Sequence, residues 1–159
     1  MSIKTLAVAA CAGLFMLGGC ATYYRAQTAT VATLNLVPGI SVWHLGAGEM
    51  QEISIATDNR CSSVGEAHRF GPLKMSPKSL PIDANRRLIF QALARSYTVG
   101  SHGICINRLA FTPRAGESYR MVQHTQFHNA CSFEVIALST GRPPEDLEIL
   151  KEEPCERDR

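Results

Sequence analysis

Short β-branched runs recur along most of this chain, about 8–14 residues apart, with turn-forming residues between them. That spacing leaves little room for long helices and favours many short strands. Residues 28–36 (Thr-Ala-Thr-Val-Ala-Thr-Leu-Asn-Leu) read as a strand halted by Pro38-Gly39. Ile40 to Leu45 follows, then Gly46-Ala47-Gly48 turns into Met50 to Ala56, and Thr57-Asp58-Asn59 turns again. From Ser62 to Asn85, Gly71, Pro72, Pro77 and Pro81 mark an irregular loop. Arg86 to Val99 suits either a helix or a strand. The alternation of Leu88, Phe90 and Ala92 and the β-branched end at Thr98-Val99 favour a strand. Ile104 to Phe111, Ser118 to Gln126 and Ser132 to Leu138 complete the strand set. The expected fold class is all-β: a disulfide-stapled antiparallel β-sandwich, immunoglobulin-like or transthyretin-like. A short C-terminal helix is allowed from Pro143 to Glu153, where Glu145 and Asp146 suit the first turn's dipole and Pro154 ends it.

The N-terminus has a different character. Lys4 is followed by an uncharged run from Thr5 to Leu17, too short to cross a bilayer as a helix but of the length of an export-signal core. It ends in Leu17-Gly18-Gly19-Cys20. Small residues ahead of a cut let the segment lie extended in a peptidase groove, and a thiol can take up lipid. This arrangement resembles the lipobox of bacterial lipoproteins. The resemblance implies a signal peptide over residues 1–19, cleavage before Cys20, and a diacylglyceryl thioether plus an amide-linked acyl chain on Cys20. Several acyl chains anchor stably where one does not. Ala21 follows the cysteine in place of the Asp that retains many such proteins at the inner membrane. The expected location is therefore the cell envelope, on the inner leaflet of the outer membrane facing the periplasm. Residues 20–28 read as a lipid-anchored tether containing Tyr23 and Tyr24, which either rest at headgroup level or begin the fold. The sandwich then spans residues 29–144, and residues 145–159 form an acidic tail.

Export gives the cysteines a meaning. Cys11 leaves with the signal and Cys20 carries lipid, so Cys61, Cys105, Cys131 and Cys155 remain. An even number in an oxidising compartment reads as two disulfides, with three pairings open. The expected pairing is Cys61–Cys105 and Cys131–Cys155, the second holding the tail against the domain.

Charge is uneven. Loss of Lys4 leaves fifteen cations against fourteen acids, a mature charge of +1. Residues 145–159 hold seven acids and three cations, so the body carries +5, and ten of its twelve cations are arginine. A solvated tail is the plain reading. An Arg-rich body also suits an anionic envelope polymer or an envelope protein as partner. Nucleic acid is not expected, because export removes the chain from it.

The stretch from Cys105 to Tyr119 (Cys-Ile-Asn-Arg-Leu-Ala-Phe-Thr-Pro-Arg-Ala-Gly-Glu-Ser-Tyr), followed by Cys131-Ser132-Phe133-Glu134-Val135, reads as a meander of strand, Pro-x-x-Gly turn, strand and cysteine-headed strand. Gly116 is expected at positive φ, with Tyr119 folding back onto the turn as in a tyrosine corner. The pattern is similar to that of small β-sandwich envelope lipoproteins, over about a third of the mature chain, and implies no activity.

Motifs for chemistry are sparse. There is no nucleophile elbow, phosphate-cradling glycine loop or His-Glu-x-x-His. Ser101-His102 reads as part of a turn rather than a catalytic pair. His124 and His128 have metal-ligand spacing on a helix, but on a strand they would stand about 13 Å apart. Trp43, His44, Arg86 and Arg87 are candidates for a surface patch, although a single Trp in a strand is more often core. No catalytic residue, cofactor or metal is therefore expected. The primary expectation is a non-enzymatic binding or assembly module. The alternative is a lipoprotein inhibitor of an envelope-attacking hydrolase such as lysozyme. Such inhibitors carry Ser-Gly-x-x-Tyr, whereas this chain has Gly116-Glu117-Ser118-Tyr119. The third reading is a cell-wall-degrading enzyme, for which no residues stand out.

Overall fold

The computed structural model describes residues 23–39, 48–58, 64–71, 74–98, 101–126 and 130–150. These residues form two β-sheets and no helix. The strands are β1 (Val31–Gly39), β2 (Gly48–Ala56), β3 (Gly65–Phe70), β4 (Lys78–Asp83), β5 (Leu88–Thr98), β6 (Ser101–Phe111), β7 (Ser118–Gln126), β8 (Ala130–Ala137) and β9 (Glu148–Leu150). One sheet has the order β4-β1-β7-β8 and the other β3-β2-β5-β6-β9. The all-β sandwich expected from the strand spacing is present. One ladder departs from the antiparallel expectation: β1 runs parallel to β7, from Thr33 opposite Ser118 to Gly39 opposite His124.

Alternation decides which side of each strand faces the other sheet. Ala32, Leu34 and Leu36 on β1, Ile53 and Ile55 on β2, and Leu88, Phe90 and Ala92 on β5 are buried in one cluster with Leu109, Phe111, Tyr119, Met121 and Val135. Phe90 and Phe111 stack at 4.9 Å and Tyr119 lies 5.0 Å from Phe111, so three large rings gather at one end, while the buried Phe70 lies opposite Gln51 farther along the sheet. A smaller cluster of Ala56, Ile89 and Ala110, joined by Val64 and Leu150, covers the outer face of the five-stranded sheet at that same end.

Several expectations are corrected. The proline-marked loop from Ser62 to Asn85 contains β3 and β4. Pro81 sits in β4 at the edge of its sheet, where its missing N–H breaks no ladder. Strand β1 continues through Pro38, because pairing with β4 has ended at Leu36–Lys78 and only β7 lies alongside. Over the described part of the helix candidate, residues 143–150 form a turn and strand β9, which pairs with Arg108–Ala110 of β6. The acids read as a helix start have other partners. Asp146 accepts the Thr112 amide at 2.8 Å, and Glu145 pairs with Arg114 at 2.7 Å. The acidic segment thus begins docked, through β9 and these contacts. The turn after β6 does not close a meander: residues 112–117 carry the chain from the five-stranded to the four-stranded sheet. The tyrosine corner holds that crossing. Tyr119 Oη accepts the Arg114 amide at 2.9 Å, and Gly116 has φ +73°.

The stretch read as a tether joins the domain from Tyr23 onward. Tyr23 bridges to Glu66, and the Tyr24 amide donates to the Glu66 carbonyl at 2.9 Å. Gln27 and Thr28 donate their amides to the fully buried Asp83 at 2.7 and 2.8 Å. Of the two readings of Tyr23 and Tyr24, the structure gives the start of the fold. The strand expected from Ile40 to Leu45 falls outside the described residues.

Candidate functional site

The interior changes chemistry along the strands. At the end where Tyr23 enters, inward positions are Leu88, Phe90, Phe111 and Tyr119. Along β5 they shrink to Ala92 and Ala94. At the far end the sheets face each other through Gln51 on β2 and Gln123 on β7, both buried, beside their ladder partners Phe70 on β3 and Phe133 on β8, which pack in the same core. Gln51 is in phase with Ile53 and Ile55, and Gln123 with Tyr119 and Met121, so alternation turns both amides inward.

These amides form a connected polar layer. Gln51 Nε2 donates to Glu49 Oε1 at 3.0 Å and to the Gln123 carbonyl at 3.1 Å. Gln51 Oε1 accepts the Gly39 amide at 3.4 Å. The Thr125 hydroxyl also donates to Glu49 Oε1. Gln123 Nε2 donates to the Ala92 carbonyl at 3.3 Å and lies 3.8 Å from Cys105 Sγ. Gly39 is required for this closeness: a Cβ there would stand 2.0 Å from the Gln123 carbonyl oxygen.

One side of the layer is covalent. Cys105 on β6 and Cys131 on β8 form a disulfide with Cα atoms 6.3 Å apart, linking the two sheets. The expected pairing of Cys61 with Cys105 and Cys131 with Cys155 is therefore corrected. Facing strands of the two sheets bring Cys105 and Cys131 together, which sequence spacing alone does not reveal. Asn107 Nδ2 lies 3.3 Å from Cys105 Sγ and 2.9 Å from Cys131 Sγ. Cys61 and Cys155 lie outside the described residues, as does Cys20, the expected lipid site.

The other sequence candidates do not converge. His124 is exposed on β7, 3.5 Å from Glu134, and His128 lies outside the described residues. Among the described residues no group of three His, Cys, Asp or Glu side chains has metal-site geometry. Ser101 and His102 open strand β6 rather than forming a turn, and the His102 ring lies 5.5 Å from Tyr97. Trp43 and His44 lie outside the described residues. Arg86 pairs with Asp83 at 3.6 Å and Arg87 with Glu148, both near the end where Tyr23 enters. Arg69 and Arg114 also face carboxylates, so much of the arginine excess is neutralised within the domain.

Sequence reading missed Gln51, Gln123 and Glu49, because polar residues in strands are ordinarily assigned to the solvent face. The available signal was their phase with Ile53 and Met121. No family model matches the chain, and neither a curated protein nor a solved structure resembles it at a significant level.

Proposed function

We propose that the protein is a lipid-anchored envelope protein, attached through Cys20 at the outer membrane, whose β-sandwich is a non-enzymatic binding module facing the periplasm. The observation that carries this reading is the docking of residues 23–28. Tyr24, Gln27 and Thr28 are held to Asp83 at the end of the sandwich that carries the large aromatic rings. Only two residues, Ala21 and Thr22, separate the proposed lipid site at Cys20 from Tyr23, a reach of about 10 Å over three steps at 3.3 Å each. A domain held so closely turns its aromatic end to the bilayer. Gln51 stands five residues from the end of β2 at Ala56 and Gln123 five from the start of β7 at Ser118, which puts the polar layer about 17 Å farther from the bilayer at 3.3 Å per residue, toward the periplasm.

The chemistry of that layer suits binding. It offers amides, one carboxylate, the Thr125 hydroxyl and a disulfide, and among its described residues no histidine stands beside that hydroxyl to activate it. A hydrolase needs a nucleophile or activated water with a base in reach, whereas a binding module needs shape and a few anchors. The protein is accordingly expected to leave peptidoglycan, peptides and esters uncleaved.

The test is metabolic labelling with palmitate. The wild-type chain is expected to take up label and lose residues 1–19. Cys20→Ser is expected to remain an unlabelled precursor. Equal labelling of the two would end the lipid-anchor reading, and turnover of a cell-wall substrate by the purified protein would end the non-enzymatic one.

A further inference from the structure

We infer that the C-terminal segment 151–155 is a strap, lying across the outer face of the five-stranded sheet from β9 toward β2, over Arg108, Gln91 and Ser54. The occupant of that face is the chain's own tail, whatever the domain binds elsewhere.

The covered side chains stand on the side of the sheet that faces away from the core. Strand alternation turns Ala56 and Ser54 of β2, Ile89 and Gln91 of β5, and Ala110 and Arg108 of β6 outward, opposite in phase to Ile55, Phe90 and Leu109. Ladder register sets them in two rows, one of Ala56, Ile89 and Ala110 and one of Ser54, Gln91 and Arg108. The first row is buried beneath Val64 and Leu150, which come in from opposite edges of the sheet. In the second, Ser54 and Arg108 are each only 4% exposed. One row farther along, Ile106 is 40% exposed, and Ile104 beyond it 66%. The cover therefore runs across the strands and stops short of Ile106.

The exit point and length of the tail fit that cover. Arg108 pairs with Leu150, the last residue of β9, so the segment that follows leaves beside the guanidinium. The connection from β2 to β3 arrives at the opposite edge and contributes Val64. Continued in register, residues 152 and 154 would stand beside Ile106 and Ile104 as neighbours on a flanking strand, yet those two side chains are exposed. A turn across the sheet leaves them so. From β9 to β2 there are three strand spacings of about 4.8 Å, roughly 14 Å. The five steps from Leu150 to Cys155 span about 17 Å at 3.3 Å each, enough to pass β6 and β5 and reach β2. Charge agrees with this path. The segment brings Glu152 and Glu153 to a row that ends in Arg108, and arginine is almost never buried away from counter-charge.

The test uses the mature full-length protein in detergent micelles with a water-soluble paramagnetic agent. The readout is relaxation of the Arg108 Nε–H, the Gln91 side-chain amide and the Ile104 methyl groups. In the wild type the first two are expected to be shielded and Ile104 to relax fast. A chain ending at Leu150, with Cys61→Ser so that no thiol is left unpaired, is expected to raise relaxation at Arg108 and Gln91 at least threefold and to leave Ile104 unchanged. Continued shielding of Arg108 and Gln91 would overturn the inference. A rise at Ile104 would place the tail along β6 and overturn it as well. If the shortened chain does not fold, the wild type decides through nuclear Overhauser contacts of Glu152 and Glu153. Contacts to Ser54, Gln91 or Arg108 support the strap, and contacts to Ile104, or none to the sheet, contradict it. Palmitate labelling of Cys20 is read separately, so a failed strap leaves the anchoring intact.

Discussion

Asp83 has no exposed surface, yet its surroundings keep it charged. Burial alone would raise its pKa, but the Thr28 and Gln27 amides and the Thr28 and Tyr24 hydroxyls outweigh burial and hold the carboxyl below its usual range. Burial likewise pushes the Tyr24 hydroxyl up to about 12, so it stays a donor to Asp83. Asp83→Asn is expected to cost about 1.5–3 kcal/mol at neutral pH, the range for hydrogen bonds to a charged group. Amide exchange at Gln27 and Thr28 should quicken with it. The sign of the pH dependence follows from the depressed folded pKa. The advantage over Asn is complete above the ordinary carboxyl value of about 3.9 and is lost as pH falls from there through the folded value. Denaturant unfolding of both proteins between neutral and acid pH measures this, and an Asn variant as stable as wild type at pH 7 would contradict it. At the same scale, the phase of the polar residues was readable and their burial was not. Gln51 and Gln123 stand in strands correctly placed from the sequence, but only the packing of one sheet on the other shows that their faces are interior.

At the scale of elements, the strands with apolar alternation were legible, namely β1, β2, β5, β6, β7 and β8. Those missed had their signal overwritten by local chemistry. Pro72, Pro77 and Pro81 argue for loop wherever ladder partners are needed on both sides, and β4 has a neighbour on one side only. The acids at Glu145 and Asp146 imitate a helix start, but their partners, Arg114 and the Thr112 amide, lie more than thirty residues earlier. The crossing at residues 112–117 looked like a hairpin because a turn signal says nothing about which sheet the next strand joins. The disulfide joins β6 to β8 across this gap between sheets. A link between residues separated by 26 positions is worth about 3.5 kcal/mol in the chain-entropy description. Replacing Cys105 and Cys131 together by Ala should lower stability by roughly that amount. The amide protons of β8, an edge strand, should lose protection first. Unchanged stability would show that the sheets hold β8 without the bridge.

At the scale of the whole molecule, strand directions give the sandwich two unlike ends. One gathers Tyr23, Asp83, the tyrosine corner and the start of β9; the other carries the polar layer and the bridge. With Cys105 and Cys131 joined, an exported chain without free thiols must join Cys61 to Cys155. Peptide mapping of the unreduced mature protein is expected to find those two bridges, and free thiols at Cys61 and Cys155 would contradict it. The orientation of the two ends is open to direct measurement. With the lipidated protein in vesicles containing an acceptor lipid, a donor dye is placed at exposed Leu138, at the Tyr23 end, or at exposed Ile104, toward the other. Energy transfer is expected to be strong from residue 138 and weak from residue 104. Equal transfer from the two positions, or the reverse order, would contradict a domain held with its aromatic end against the membrane and its polar end free to bind.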